Sequence, residues 1–447
     1  MPHAVAVDLG ATSGRFALGN YQEGRIKFEV VEQIPHGATE RNGRLEWDLD
    51  LLLSLCRRAA DYGAANGAQT LGIDSWGVDH GFLDADGNLL GAPVCYRDLS
   101  HLDAFEALRP HRERLYALTG IQHQPFNTIC QLYARRAEDP MFVSSAKDWM
   151  IFPDLLGYLL SGERNHELTQ ASTTQLLGLD GQWSAEAFEI AGWPTPERVA
   201  HQPGSLGGQV GGLRIAHVGS HDTASAVAGF GVLGADQIFL NVGTWSLVGC
   251  VIPQPIATPE AERLNFTNER TIDGQVRFLR NVPGFYVINR IHEELRVGKP
   301  VPEWLASATL PEETVDLLHP DFFNPDSMVE TCAALAGRRP RSIEEWAGFA
   351  LGSLTATLAK LPGDLERLTG RKFNSIRVGG GGSQSVAFCG ALAQATGLTV
   401  HAGPAEATVL GNVGVQFLAS GVFGSHAEMF AAISRSADVS VYAPNRR

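Results

Sequence analysis

The sequence predicts an α/β protein of two similarly built domains. Three observations carry that prediction: a length of 447 residues, a tight turn that occurs twice about half a chain apart, and short apolar strands that alternate with helices. A single core stops growing at about 250–300 residues, so a chain of this length divides into domains of roughly 200. The first copy of the turn is Val5-Ala6-Val7-Asp8-Leu9-Gly10-Ala11-Thr12-Ser13-Gly14, and the second is Ile238-Phe239-Leu240-Asn241-Val242-Gly243-Thr244-Trp245-Ser246-Leu247. Each reads as an acidic or amide residue, an apolar residue, Gly, two residues and Ser. A glycine turn between buried strands presents backbone N–H groups and hydroxyls to a phosphate. Two such turns at half-chain spacing predict homologous domains that face one nucleotide.

The elements follow in order. Residues 4–9, 14–19 and 26–33 read as a three-strand meander broken at Gly19-Asn20 and Glu23-Gly24. Leu51–Ala65 has helical periodicity, with Leu52, Leu53, Cys56, Ala59 and Ala60 on one face. A buried strand follows at Thr70–Asp74, then Ser75-Trp76-Gly77-Val78-Asp79-His80 and a strand that ends at the turn Asp84–Gly87. Three strands, a helix, a strand and a helix are the order of the ribonuclease-H-like core shared by actin, Hsp70 and sugar kinases. Two such domains with a central cleft are expected. The stretch from 100 to 200 is more helical and irregular. The pattern restarts after 236, with helices through Glu344–Leu361 and a strand at Ser375–Val378 that enters Gly379-Gly380-Gly381-Gly382. The boundary is expected within Gly229–Gly234, giving domains 1–232 and 233–447. The tail from about 425 is expected to be peripheral.

Composition narrows the function. A formal net charge of −14 argues against nucleic-acid and anionic-membrane partners. No run reaches 18 apolar residues, so no membrane span is expected. The six cysteines are scattered without a C-x-x-C pair, and residues 1–20 have no secretory pattern. A reduced, cytoplasmic protein is the expectation. His292-Glu293 is followed at the fourth position by Arg296, so it is not a zinc helix. No G-x-x-x-x-G-K-[ST] occurs, which removes the P-loop kinases.

Four places carry candidate chemistry. In the first turn, Asp8 would hold Mg²⁺ through water, the backbone of Ala11, Thr12, Ser13 and Gly14 would cradle phosphate, and Arg15 would add charge; a plain hairpin is the alternative. The Gly379–Gly382 run would let the backbone approach an anionic or planar group ahead of a helix N-terminus, or would simply connect a strand to a helix. In Val218-Gly219-Ser220-His221-Asp222-Thr223-Ala224-Ser225, an apolar strand ends in a polar elbow. There Asp222 either caps the helix or accepts a proton from an attacking hydroxyl. In Trp76-Gly77-Val78-Asp79, Trp76 either offers a platform for a sugar face or belongs to the core.

These segments, with Tyr96-Arg97-Asp98 and Gly403-Pro404-Ala405-Glu406-Ala407, resemble the FGGY carbohydrate kinases from about residue 4 to 420. Within that family the likeness is greatest to the branch that phosphorylates L-rhamnulose. The resemblance implies a two-domain kinase that closes around a sugar and Mg²⁺-ATP, and a C1-hydroxyl phosphorylation of a ketose with Asp222 as general base. It assigns Ala11–Arg15 and Thr244 to phosphate and ATP, Gly381 to the adenosine, and Gly77, His221, Thr223 and Asn281 to the sugar. Three departures from the branch bear on the substrate. His80-Gly81 replaces a bulkier apolar pair, Asn289 stands where the family has an ATP-contacting Gln, and Asn281-Val282-Pro283-Gly284-Phe285 differs from the usual apolar run. L-fuculose or a pentulose such as xylulose or ribulose is therefore an alternative substrate. An actin- or Hsp70-like ATPase switch is the rival of another class, disfavoured by His221-Asp222 and Trp76-Gly77. Oligomeric state is not legible.

Overall fold

The run His3–Leu9 is apolar at most positions and buried along nearly its whole length, the pattern of a strand with neighbours on both edges and cover on both faces. It is β1 of the computed structural model, which describes residues 1–41, 43–309, 313–322 and 325–445. β2 (Ser13–Gln22) and β3 (Arg25–Pro35) complete an antiparallel meander. β4 (Thr70–Ser75) lies parallel to β1, and Asp8 pairs in register with Asp74. β5 (Ser205–Val210) and β6 (Leu213–His217) finish a sheet in the order β3-β2-β1-β4-β6-β5, with β6 parallel to β4. Asp48 caps helix Leu49–Ala65 by accepting from the Leu51 N–H. The apolar stripe Leu52, Leu53, Leu55, Cys56, Ala59 and Ala60 packs onto Val5, Val7 and Leu71 of the sheet.

The second half repeats this opening. β7 (Gln237–Val242) forms an antiparallel hairpin with β8 (Trp245–Ile252) and runs parallel to β11 (Ser375–Gly379), as β1 does with β2 and β4. With β9 (Thr267–Arg270), β10 (Val276–Pro283), β12 (Thr399–Ala402) and β13 (Ser440–Tyr442), the order is β9-β10-β8-β7-β11-β12-β13. Both turns close on a glycine N–H, the first reaching three residues ahead and the second two. Gly10 donates to the Ser13 carbonyl and Gly243 to the Trp245 carbonyl, each at 2.9 Å.

The chain does not divide into the contiguous 1–232 and 233–447. One compact unit comprises Met1–Val232, Ile252–Phe278 and Thr408–Ser436; the other comprises Leu233–Val251, Leu279–Ala407 and Ala437–Arg447. The first cut falls at the expected Gly-rich segment, but two later stretches return to the first unit. The tail is likewise not peripheral. Helix His426–Ser436 buries Met429, Ala432 and Ile433 completely. The Ser436 hydroxyl accepts from the Ile26 N–H, and the Ser434 hydroxyl from the Val232 N–H. Among the described residues, no helix is long and apolar enough to cross a membrane.

Helix Ala407–Ala419 belongs to the first unit from Thr408 onward and meets the helix Asp222–Gly229 at a glycine. A Cβ at Gly411 would lie 1.9 Å from the Ser225 carbonyl oxygen and 2.8 Å from the Gly229 nitrogen, both rigid backbone. Gly411→Ala should therefore lower stability by roughly 3 kcal/mol. Gly390, in helix Val386–Thr396, has nothing within 4 Å of its added Cβ. Gly390→Ala should raise stability by about 0.5–1 kcal/mol. Urea unfolding midpoints of the two variants check the opposite signs.

Candidate active site

In the first unit, three carboxylates gather at the carboxyl ends of parallel strands, where open α/β sheets bind ligands. Asp8 and Asp74 are the next-to-last residues of β1 and β4 and pair in register. Asp222 opens the helix Asp222–Gly229 that follows β6. Of the two roles the sequence offers Asp222, cap or proton acceptor, the cap position goes to His221, which makes no side-chain capping bond. The Asp222 side chain is 30% exposed and accepts from the Thr223 hydroxyl at 3.1 Å. Burial raises its pKa, the adjacent His221 ring opposes that shift, and the Asp8 charge adds to it.

Asp74 is the carboxylate that sequence reasoning missed. It is fully buried, and Asn412 of helix Ala407–Ala419 donates to its Oδ2 at 2.5 Å. Its Oδ1 has no hydrogen-bond partner among the described residues. Burial and the Asp8 charge, then the Asp222 charge, hold its pKa far above the usual range against the Asn412 bond. An acidic residue near the end of a buried apolar strand, the same placement as Asp8, was the available signal.

The first turn is only partly as expected. Thr12 is exposed and Ala11 and Ser13 half-buried, so their backbone is open to a ligand. Gly14 is a packing glycine: a Cβ there would meet Leu9 at 2.9 Å and Leu55 at 3.0 Å. Arg15 turns back on Asp8, donating from Nε at 3.0 Å and Nη2 at 2.7 Å to Oδ2.

The elbow and the Trp76–Asp79 segment share one buried scaffold. Glu167, fully buried, caps the short helix Leu168–Ala171 and also accepts from the Ser220 N–H and hydroxyl at 3.2 and 2.6 Å. Thr169 Oγ1 accepts from the His221 N–H at 3.2 Å. The Gln170 amide donates to the carbonyls of Ser75, Trp76 and Ser220. Gly77 faces this site, because a Cβ there would lie 3.2 Å from Thr173 Oγ1 and 3.4 Å from His221 Nε2.

Val78 has φ +71°, an outlier for a β-branched residue. The Asp79 N–H reaches the Gly77 carbonyl at 3.0 Å, a strained three-residue turn. Asp79 anchors it from beneath. Its carboxylate accepts from Trp47 Nε1, Trp76 Nε1, the Tyr96 N–H and Gln131 Nε2. Burial nevertheless lifts its pKa to about 7 against these bonds.

Trp76 is 5% exposed and packs against Trp47 and Phe152, with ring centroids 4.1 and 4.9 Å away. It is a core residue with no open face for a sugar. The His80-Gly81 departure is also spent in the core. His80 meets Phe82 and Trp149 edge-on, and burial, with His101, pushes its pKa down to about 3. A Cβ at Gly81 would strike Leu155 at 2.6 Å.

In the second unit, Thr244 and Gly381 are exposed. The Gly243 and Thr244 carbonyls accept from the N–H groups of Gly284, Phe285 and Tyr286, which open helix Phe285–Glu294. Those donors therefore serve the turn rather than a ligand. Gly284 is forced by this docking, since a Cβ would lie 2.7 Å from Ser246 Oγ and 2.8 Å from the Gly243 oxygen. Gly380, at φ +74°, lies against the Val242 carbonyl and the Asn241 side chain. The open backbone at Gly381 thus sits beside the turn. Asn281 is half-buried on β10, and Asn289 is exposed on helix Phe285–Glu294.

Two halves that each open with a glycine hairpin, one followed by a buried carboxylate cluster, define a phosphotransferase of the ribonuclease-H-like class. The FGGY family of carbohydrate kinases matches in both parts, its N-terminal domain over residues 3–200 and its C-terminal domain over 238–420. The chain belongs to that family and is an ATP-dependent carbohydrate kinase. It is 34% identical over 433 residues to a rhamnulokinase of Mannheimia succiniciproducens, covering 93% of this chain and 89% of that protein. The fold is similar to a ligand-bound xylulose kinase from Lactobacillus acidophilus (TM-score 0.82, 16% identity, 100% of this chain and 94% of that one). It is also similar to a gluconate kinase from the same organism (TM-score 0.81, 17% identity, 99% and 94%). A Plasmodium falciparum glycerol kinase with ADP shares it as well (TM-score 0.79, 12% identity, 99% and 94%).

Asp79 gives the site a pH signature. It keeps its proton up to about pH 7 in the folded chain and loses it near about 3.9 when unfolded. Between those values the native state holds more protons, so stability falls as pH rises. Asp79→Asn should remove that negative contribution, shifting the slope of unfolding free energy between about pH 4.5 and 7 in the positive direction by up to about 1.4 kcal/mol per unit. Urea unfolding across that range measures it.

Proposed function

We propose that this protein transfers the γ-phosphoryl group of ATP to the C1 hydroxyl of a ketose, with L-rhamnulose as the substrate and L-rhamnulose 1-phosphate as the product. The observation that carries the chemistry is Asp222, a partly exposed carboxylate of raised pKa at a helix start, beside His221 and a strained turn. Support for the sugar is the 34% identity to a rhamnulokinase over most of both chains. As the C1 oxygen attacks the γ-phosphorus, its proton passes to Asp222. The bond from that phosphorus to the bridging oxygen breaks, and ADP leaves. A raised carboxyl pKa strengthens the base.

Gly77, His221, Thr223 and Asn281 would hold the sugar. Ala11, Thr12, Ser13, Thr244, Asn289 and Gly381 would hold ATP. Asp8 and Asp74 are hard oxygen donors, and the unpartnered, buried Asp74 Oδ1 fits a Mg²⁺ ion held there directly or through water. Among the described residues no group of three or more His, Cys, Asp or Glu forms a metal cage, so phosphate and water would fill the remaining positions. Bound there, Mg²⁺ would neutralise charge developing on the phosphates. The six cysteines are free and buried, which supports action in the cytoplasm.

The test is ADP release from Mg²⁺-ATP with L-rhamnulose, L-fuculose, xylulose and ribulose, for the wild type and Asp222→Asn. L-rhamnulose should give the highest kcat/KM, and Asp222→Asn should lower kcat by about 100-fold or more. Near-normal turnover by Asp222→Asn would overturn the base assignment. Background ADP release with every ketose would overturn the substrate class.

A further inference from the structure

His221 is held from behind by two buried charges that the chemistry above does not use. Glu269 on β9 and Arg277 on β10 have side chains 8% and 0% exposed. Arg277 Nη2 lies 3.1 Å from Glu269 Oε2 and 3.1 Å from His221 Nδ1, and Glu269 Oε2 lies 3.3 Å from the same nitrogen. Arg277 Nε is fixed by the Arg270 carbonyl at 2.9 Å. A buried ion pair contributes little net stability, because desolvation offsets its attraction. Its place against one ring nitrogen therefore asks for another purpose.

The ring chemistry supplies one. Arginine only donates hydrogen bonds. A neutral ring could carry its hydrogen on either nitrogen, but Arg277 Nη2 meets hydrogen-bond geometry at Nδ1, whereas Glu269 Oε2 makes no hydrogen bond among the described residues. Nδ1 therefore accepts from Arg277, the ring hydrogen is on Nε2, and the outward edge is a donor. That edge lies 3.5 Å from Asp222 Oδ1, too long for a good hydrogen bond, and faces Gly77, where no side chain intervenes. The donor is left for a substrate oxygen.

We propose that the Glu269–Arg277 pair is a positioning pair for His221, fixing its ring with Nε2–H outward so that a sugar oxygen beside Asp222 always meets a donor. This rests on the ketose kinase reading above. Neither residue touches the substrate; both act through the imidazole.

The test is a double-mutant cycle on the full chain with L-rhamnulose. Glu269→Gln, and the charge-neutral Glu269→Gln/Arg277→Met, are each made alone and on His221→Ala. The charge-neutral form leaves no orphaned buried charge and serves if the single variant does not fold. On the wild-type background each should raise the ketose KM or lower kcat/KM by about tenfold, with the ATP KM within about twofold. On His221→Ala the same changes should cost less than about twofold further. Effects that multiply undiminished on His221→Ala, or an ATP KM that rises in step, would overturn the proposal, as would a folded charge-neutral variant with wild-type ketose KM. A wild type without ketose-dependent turnover would overturn the kinase reading beneath it, whereas an active wild type with multiplying effects would overturn the positioning role alone.

Discussion

The Glu167 carboxylate lies out of water and collects donors from the N–H and hydroxyl of Ser220, the N–H and hydroxyl of Thr169, and the N–H of Gln170. Two carboxylate oxygens offer about four lone-pair sites, so this set saturates the group and offsets much of the cost of burying it. The result is geometric. The strand end before Asp222 and the helix start at Leu168 share one anchor, and Gln170 extends it to the Ser75 and Trp76 carbonyls. Removing the anchor would free the base, the imidazole beside it and the glycine facing them together. An unpaired Ser220 N–H and hydroxyl would remain behind.

The same scaffold explains how the chain holds Val78 in a backbone region that costs of order 1–3 kcal/mol. Thr173 binds the Val78 N–H, while Thr128 and Gln131 bind its carbonyl. Asp79 then fixes the far side through two indoles. The turn is over-determined, so the strain persists, and Gly77 is presented to the site without a side chain. Trp76, the residue most suggestive of sugar binding, has its indole nitrogen and ring committed to this support.

Much of this architecture was legible because it is local. The duplicated hairpin, the helix after the meander and the polar elbow all sit within windows where periodicity and glycine placement speak directly. The family segments marked Asp8, Asp222 and His221 for the same reason. What escaped depends on residues distant in sequence. Asp74 gains its meaning from Asn412, 338 positions away, and Glu167 from Ser220, 53 positions away. Glu269 and Arg277 read as ordinary strand charges until the fold sets them against His221. The interleaving of the two compact units escaped likewise, because a glycine-rich segment marks where the chain leaves a unit and not where it returns.

That return has a consequence for synthesis. Residues 408–436 belong to the unit that begins at residue 1, and Asn412 and Gln416 bond the Gly72 and Val5 carbonyls there. At about 5–20 residues per second, this helix leaves the ribosome roughly 10–40 s after Val232. Until then the β1–β4 surface at Gly19 and Gly72, which closely accepts Val413, Asn412 and Gln416, lacks its cover. The nascent protein thus carries a half-finished sheet while the intervening unit is made. Its earliest-made strands are among the last to be sealed, which makes them natural clients for a chaperone that binds extended apolar chain.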